Sequence, residues 1–339
     1  MRITSGMITS RYVRDLNNGL SNLNNLSRKV ETGRKFFKGS EDPVSAVKAY
    51  RLRRETVYNE DVKKNIGEAD SQLLSAESSL MGLRKGLTTA KTQTLKGING
   101  TMSSGDRKII ATKLRNIQET MINTMNAEYD GKYVFGGSSM EKPPFEKNSA
   151  GDLIYKGVNV SNITSSDTAG MAKLDKMSKE RFYVDLGLSL DLNPDGTVNE
   201  NTVFDISMPG IEFLGYGSSN VDGKEVPNNL YDIIGNICDN LENENFDFDD
   251  TSKLIKQFDD KVGGTLKQVT TIGTKTKYID FLKSRADTEE LNLATKTKAV
   301  EFMDPAKAIM DWKMQEYAYN SALSMGNKIL QPSFLDFMK

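Results

Sequence analysis

The longest regular pattern of hydrophobic positions begins at Val62 and runs to Ala90. Apolar or small residues recur there at alternating steps of three and four, which is the spacing of a coiled-coil seam. The seam residues are Val62, Ile66, Ala69, Leu73, Ala76, Leu80, Leu83, Leu87 and Ala90. Asp42-Pro43 supplies an N-cap and a proline at the first helical position, and Gly97 marks the far end. The pattern predicts a single helix about 80 Å long, at a rise of roughly 1.5 Å per residue.

Two further segments repeat this helical periodicity. The first starts with Ser103 and Asp106, which resemble a capping box, and its stripe is Ile110, Leu114, Ile117, Met121 and Met125. The stripe of the second is Phe258, Val262, Val269, Ile272, Ile279, Ala286, Leu293 and Val300. Gly263, Gly264 and Gly273 each weaken that second helix by ~1 kcal/mol relative to alanine, so a kink is expected to be tolerated there.

Both ends of the chain are also amphipathic. An N-terminal stripe precedes the long helix, and Asp304-Pro305 repeats the cap-and-proline start before a last helix whose apolar residues spread around most of its circumference. So wide an apolar surface requires more than one neighbour, which predicts assembly with other subunits. The predicted interface residues are Leu16, Leu20, Leu23, Leu26, Val30, Ile309, Trp312, Tyr317, Leu323, Ile329 and Leu330.

The middle of the chain has a different pattern. Short alternating runs (DLIYKGV, RFYVDLGLSLDL, TVFDISM and IEFLGYG) are separated by Gly, Pro, Asn and Asp, which predicts β structure. The predicted fold class is therefore mainly α: a long antiparallel coiled-coil helical rod formed by both chain ends, with an inserted β-rich outer domain. The predicted domains are a terminal coiled-coil assembly domain (1–42 with 304–339), a helical rod domain with a β-hairpin (43–145 with 228–303), and the outer domain (146–227).

The composition argues against an enzyme. The 339 residues carry a net charge of −1 and include no histidine, which removes the commonest general base and the commonest metal ligand. The single cysteine, Cys238, excludes an intrachain disulfide and a cysteine-based zinc site. We therefore predict no catalytic residues and no cofactor.

Nothing in the sequence predicts membrane insertion or a cleaved leader. No window approaches the ~20 consecutive apolar residues of a membrane-spanning helix. The N-terminus lacks the apolar segment and small-residue cleavage site of a secretory signal, so we expect it to remain uncleaved.

Two glycine-containing motifs suggest ligands but have simpler interpretations. Gly136-Gly137 does not fit the phosphate-binding pattern, so we predict a β-hairpin in which Tyr133, Val134 and Phe135 are extended and the glycines turn. Asp191, Asn193 and Asp195 occupy positions 1, 3 and 5 of a calcium-loop pattern, but its twelfth position is a threonine. A β-turn between two strands accounts for these three residues and is the favoured interpretation, with a metal site as the alternative.

The first 40 residues are basic, with eight Lys and Arg against two Asp and Glu, a net charge of +6. A nucleic-acid-binding arm and a membrane-surface helix are both consistent with this charge. Aromatic residues are rarely interleaved with the positive ones, however, and the charges flank an apolar stripe. A solvated helix face, or a face that meets acidic neighbours in an assembly, is favoured, and we predict neither nucleic-acid nor membrane binding.

Several motifs, in order along the chain, resemble the flagellin superfamily. They are ETGRKFFKGSEDPVSAVKAYRLRRE, SGDRKIIATKLRNIQETMINTMNAEYDGKYVFGG, TTIGTKTKYIDFLK and YNSALSMGNKILQPSFLDFMK. The resemblance covers about residues 1–145 and 228–339 and leaves out the middle. Within the superfamily, the start MRIT and the ending SFLDFMK are more similar to a subunit that joins hook to filament than to flagellin, the filament subunit.

The resemblance implies a structural role outside the cell, in the bacterial flagellum. The expected partners are identical subunits in a ring, a neighbouring hook-associated protein, flagellin and a flagellar export chaperone. Export would be in an unfolded state through the flagellar type III apparatus, with the terminal segments folding on assembly. The alternative within the family is flagellin, and a helical nucleic-acid- or membrane-binding protein is the alternative outside it.

Overall fold

The computed structural model describes residues 5–99, 102–188, 191–199 and 202–329. The chain divides into two compact units. The first unit is formed by residues up to Glu60 together with residues from Asp287 onward, and the second by Asp61–Ala286. Each unit therefore contains segments that are far apart in the sequence.

The helices are α1 (Ser5–Thr32), α2 (Pro43–Gly97), α3 (Ser104–Met125), α4 (Thr168–Ser178), α5 (Gly210–Leu214), α6 (Leu230–Glu242), α7 (Phe248–Glu301) and α8 (Pro305–Ile329). Helices α2, α3 and α8 begin at the predicted caps. The three predicted caps are present: Asp42 accepts from the Ser45 amide, Ser103 from Asp106 and Asp304 from Ala306. α7 continues as a single helix through its glycines.

Short antiparallel strands lie between α3 and α6. They are β1 (Glu128–Tyr129), β2 (Lys132–Tyr133), β3 (Phe145–Lys147), β4 (Leu153–Tyr155), β5 (Val158–Asn159), β6 (Tyr183–Val184), β7 (Phe204–Asp205), β8 (Ser218–Val221) and β9 (Lys224–Pro227). In the described residues they pair as β1–β2, β3–β4–β5, β6–β7 and β8–β9. The predicted fold class is confirmed: the chain is mainly helical, with helices from both ends packed together and a small β-containing part inserted between them.

The hydrophobic core lies in the second unit. All nine seam residues of α2 are buried, and they share this core with the predicted stripe of α3 and with Phe258, Ile272 and Ile279 of α7. α6 packs along α3, where Arg115 binds both Glu242 and Asp239. The ion pair between Lys91 and Asp259, with 2.9 Å between Nζ and Oδ1, joins α2 to α7 at the same unit's surface.

Two segments of the insertion are helical where the sequence analysis predicted a strand or no element. The run IEFLGYG, predicted as a strand, contains α5, whose Ile211, Phe213 and Leu214 are buried. So short an apolar run has too few residues for its periodicity to distinguish a helix from a strand. The helix ends at Gly215, whose φ is +83°. α4 was not predicted; it begins at Asp167, which accepts a hydrogen bond from the Gly170 amide.

The hairpin after α3 lies earlier than predicted. Its turn is Asp130-Gly131, both with positive φ (51° and 73°), and Tyr133 is in strand β2 as expected. Val134 and Phe135 are not extended strand residues, so that part of the prediction is wrong. Both side chains are fully buried. Successive side chains of a strand point to opposite faces of the sheet, so Val134 and Phe135 could not both face the core if they continued strand β2. Because the chain leaves the strand here, both side chains enter the core.

Asp232, in the first turn of α6, is a half-buried carboxylate in the second unit. Its Oδ1 accepts a hydrogen bond from Ser161 Oγ at 2.6 Å. Burial raises the pKa of Asp232 from 3.8 to about 6, the hydrogen bond from Ser161 opposes that shift, and the charge of Asp152 adds to it. Folding therefore disfavours the ionised form of the Asp232 side chain.

Replacing Leu73 by alanine tests the seam. Leu73 is 0% exposed and its neighbour Leu74 is 49% exposed. We expect Leu73→Ala to lower the free energy of unfolding by about 2–5 kcal/mol, because it leaves a cavity in the core. The matched change Leu74→Ala is expected to alter it by less than about 0.5 kcal/mol. Urea denaturation followed by circular dichroism measures both, and equal effects would contradict the assignment of the seam.

Asp232 predicts a dependence of stability on pH. A folded-state pKa above the unfolded value means that the folded protein binds more protons between pH 6 and pH 4, so stability falls as pH rises through this window. Other carboxyls, such as Glu242, have a lowered pKa and act in the opposite direction, so the contribution of Asp232 is measured as a difference between two proteins. We expect the free energy of unfolding of the wild type, relative to that of Asp232→Asn, to rise by about 1–3 kcal/mol as pH falls from 7 to 4.5. Exposed Asp249→Asn should follow the wild type. Urea denaturation at several pH values measures this difference, and a difference that does not change with pH would refute the assignment.

Candidate assembly surface

The helices from the two ends of the chain, α1 and α8, pack against each other in the first unit. Tyr12 Oη donates a hydrogen bond to the Ala322 carbonyl oxygen at 2.9 Å, and Gln315 Nε2 donates to the Gly19 carbonyl oxygen at 3.4 Å. A Cβ at Gly326 would lie 2.1 Å from Tyr12 Oη. The absence of a side chain at this position therefore allows the two helices to approach closely.

The two connections that follow α1 and α7 lie side by side. The Lys35 amide donates to the Glu301 carbonyl oxygen at 2.8 Å, and the Met303 amide donates to the Gly33 carbonyl oxygen at 2.9 Å. Gly33 has φ +68°, a conformation that favours glycine. The Glu301 carboxylate, whose side chain is 7% exposed, accepts from Arg53 Nε at 2.8 Å. That hydrogen bond and the charge of Glu301 raise the pKa of the Arg53 guanidinium.

Very little of the first unit's apolar surface is covered. Among its described residues, the buried hydrophobic side chains are those of Ala49, Leu293 and Ala308. Its exposed large hydrophobic residues are Met7, Ile8, Val13, Leu20, Val44, Val47, Tyr50, Val57, Tyr58, Leu291, Phe302, Ile309, Met310, Met314, Tyr317, Leu323 and Met325. Large exposed apolar surfaces on a soluble protein mark interaction sites, so we treat this concentration of exposed hydrophobic residues as a candidate one.

The predicted interface residues are distributed over both helices of this surface. Leu20, Ile309, Tyr317 and Leu323 are exposed. Half-buried positions are Leu16, Leu23, Leu26, Val30 and Trp312. Leu330 and the side chain of Ile329 lie outside the described residues. The interface assignment stays a prediction, because exposure alone does not identify what binds.

The predicted set omits most of an exposed apolar stripe on α8 and all of another on α2. On α8, Met310, Met314 and Met325 lie on one face with Tyr317, which is 77% exposed, and the opposite face holds the residues that contact α1. On α2, Val44, Val47 and Tyr50 are exposed at helical spacing before the buried seam begins. The i, i+4, i+7 spacing of the α8 stripe is visible in the sequence and could have identified it.

A groove of about 900 Å³ lies in the same unit. Its walls include Val57 of α2, Ala294 of α7, and Phe302 and Met303 of the α7–α8 connection. Arg53 and Lys298 place positive charge at its edge. The groove is mostly apolar and open, so it adds to the surface that has no partner within the chain.

The residues considered for metal binding form a turn. The Asp195 carboxylate accepts from the amide and the hydroxyl of Thr197, at 3.0 and 2.6 Å, and Gly196 has φ +81°. Asp191 and Asn193 flank this turn and bond to neighbouring loop atoms. In the described part of the chain, no group of three or more His, Cys, Asp or Glu is placed to hold a metal ion. Burial raises the pKa of the Cys238 thiol to about 12, which disfavours the reactive thiolate.

None of the described helices combines the length and the apolar character needed to cross a bilayer.

Comparison with known proteins supports a flagellar relationship. Residues 3–140 match the family model of the bacterial flagellin N-terminal helical region. Flagellar hook-associated protein 3 of Salmonella typhimurium is 25% identical over 205 residues, and that of Escherichia coli K12 is 22% identical over 205 residues. In both cases the match covers 60% of this chain and 63% of the relative. The chain thus spans less than two thirds of the length of the curated relatives it matches.

Solved structures show the same fold. A Vibrio parahaemolyticus protein described as a flagellar hook-associated protein superposes with a TM-score of 0.60 at 20% identity, over 77% of this chain and 100% of that one. FlgL of Xanthomonas campestris superposes with a TM-score of 0.53 at 14% identity, over 73% and 99% of the two chains. The family model and the curated relatives confirm the resemblance of this chain to the flagellin superfamily and, within it, to hook-associated protein 3.

Proposed function

We propose that this protein is a structural subunit of the bacterial flagellum that joins the hook to the filament. The observation that carries the proposal is the uncovered apolar surface of the first unit, in a chain similar to hook-associated protein 3. Catalysis forms no part of it: the chain has no histidine, and its buried thiol is held protonated. The subunit acts by binding its neighbours.

The proposed mechanism is folding coupled to assembly. Ordering a residue costs roughly 1–2 kcal/mol of backbone conformational entropy, which buried apolar surface must offset. The first unit of an isolated chain buries few hydrophobic side chains, whereas the second unit contains the core. Segments that cannot bury enough apolar surface remain disordered until a partner supplies it. Neighbouring subunits would supply that surface, so α1 and α8 become stably ordered only in the assembly.

The three predicted domains have separate roles in this proposal. Residues 1–42 with 304–339 form the assembly domain, and 43–145 with 228–303 form the helical support. Residues 146–227 form the outer domain. The concentration of exposed apolar residues in α1 and α8 supports the first role, and the buried seam of α2 supports the second. The small sheets and short helices between β3 and β9 support a β-containing insertion, which lies in the same compact unit as the helices around it.

The proposed partners are identical subunits in a ring, a neighbouring hook-associated protein on one side and flagellin on the other. The subunit would act outside the cell after export in an unfolded state, which is compatible with a chain that has a single cysteine and therefore no intrachain disulfide to form. Neither nucleic acid nor membrane is a partner in this proposal.

Addition to purified hooks tests the proposal. Hooks that carry the preceding hook-associated protein are incubated with this protein and viewed by negative-stain electron microscopy. We expect a short cap that stops growing. The double variant Leu20→Asp/Leu23→Asp should fail to add, because each change places a charge on the apolar stripe of α1, while its second unit keeps a wild-type unfolding transition.

The control variant is Asn22→Asp/Asn25→Asp, which adds the same charge at the same spacing on exposed positions of α1. It should add normally. Normal addition of the leucine variant would refute the assembly surface. Long filaments grown from the wild-type protein would instead identify it as flagellin, the alternative function.

An export chaperone is the remaining proposed partner, and it would recognise the C-terminal segment from Trp312 to Leu330. Removing residues 304–339 is expected to lower chaperone affinity by at least tenfold, as measured by calorimetry with the flagellar export chaperone of the same organism. Leu291→Ala, a change at an exposed apolar residue of α7, serves as the control and should leave binding unchanged. Unchanged binding after the truncation would show that the chaperone recognises another segment.

A further inference from the structure

The loop after the first hairpin, Phe135 to Ser139, has a conformation that favours glycine at two positions. A Cβ at Gly136 would lie 2.3 Å from the Ser139 carbonyl oxygen. Gly137 has φ +63°. The Gly210 amide donates to the Phe135 carbonyl oxygen at 2.9 Å, so the start of the loop is bound to the residues that begin α5. The start of the loop therefore has a defined position against the residues that begin α5.

A single carboxylate occupies the space beside this loop. Glu180 follows the C-cap of α4, and its Oε2 accepts from the Ser138 amide at 3.2 Å and the Ser138 hydroxyl at 2.7 Å. The same oxygen accepts from Lys156 Nζ at 2.7 Å. Both partners of the Lys156–Glu180 ion pair are mostly covered, with side chains 15% and 26% exposed. Three donors from two distant segments thus meet at one oxygen atom.

Lys156 holds an unusual backbone conformation at this point. It is the first residue of the two-residue turn Lys156-Gly157 between β4 and β5, and its φ is +47°. Asn, Asp or Gly usually occupy such a position because other residues are strained there. A strained conformation persists where surrounding contacts fix it, and here the lysine reaches Glu180 only from this turn.

Glycine at position 137 leaves room for the same cluster. A Cβ at Gly137 would lie 3.1 Å from Glu180 Oε2 and 3.4 Å from Lys156 Nζ. Burial acts to raise the pKa of Glu180, but the hydrogen bonds from Lys156 and Ser138 outweigh it and leave the pKa below its ordinary value. Glu180 is therefore ionised at neutral pH, and the loop approaches it without a side chain between them.

We propose that Lys156, Glu180 and Ser138 form a latch that fastens the inserted β-containing segment to the loop leaving the first hairpin. Its three attachment points are the hairpin loop, the β4–β5 turn and the end of α4. Breaking the ion pair loosens both the loop and the turn at this point, because the same carboxylate oxygen binds them. The latch adds a polar attachment between the insertion and the hairpin loop to the apolar contacts that they share in the core.

Hydrogen exchange of the Ser138 amide tests the latch. We expect Glu180→Gln to speed exchange at Ser138 at least tenfold, because a neutral amide oxygen is a weaker acceptor and loses the lysine. Lys156→Asn should speed it at least threefold, although asparagine suits the turn better than lysine. In the double variant the two effects should not add, since both remove the same ion pair. Amides of the α2 seam should exchange at wild-type rates, which shows that the unit remains folded.

The matched control is the ion pair between Lys179 and Asp175 at the end of the same helix, which is more exposed. Lys179→Asn is expected to leave Ser138 exchange within twofold of wild type. If Glu180→Gln and Lys156→Asn also stay within twofold, or if their effects simply add, the latch is refuted. The pair would then be an ordinary surface contact.

Discussion

The burial of one long apolar seam governs the second unit. A helix cannot bury its own seam, so α2 requires neighbours along its length. The next helix along the chain, α3, supplies some of them, and α6 and α7 supply others from more than a hundred residues away. The residues between α3 and α6 must then leave the helices and return, which is why the β-containing segment is an insertion. Its buried residues, such as Phe145 and Tyr155, belong to the same continuous core.

The same helices change character in the first unit. α2 and α7 each supply residues to both units, yet the seam of α2 is buried from Val62 onward while Val44, Val47 and Tyr50 before it are exposed. Hydrogen bonds at the paired connections and the contact of Arg53 with Glu301 give that unit a defined geometry without giving it a core. Geometry of this kind orients a surface, whereas stability comes mainly from apolar burial, of which this unit has little.

Much of this could be predicted from local sequence. The seam of α2 and the caps Asp42, Ser103 and Asp304 depend on spacing within a few turns, and all were predicted correctly. α5 could not be distinguished from a strand, because a five-residue apolar run has too few turns to show a period. The role of Glu180 could not be predicted from local sequence either, because its partners Lys156 and Ser138 are 24 and 42 positions away.

The Phe135–Ser139 loop is difficult to interpret from sequence because contacts with distant residues fix both of its ends. Phe135 enters the core next to Phe213, with ring centroids 5.7 Å apart in an edge-to-face arrangement, so the start of the loop is fixed by burial. Its end is fixed by the Glu180 carboxylate. Gly136 and Gly137 lie between these anchors, where the backbone must turn within two residues. The two glycines are therefore there because a buried ring and an ion pair must be reached from adjacent positions of one loop, and no bound phosphate is needed to account for them.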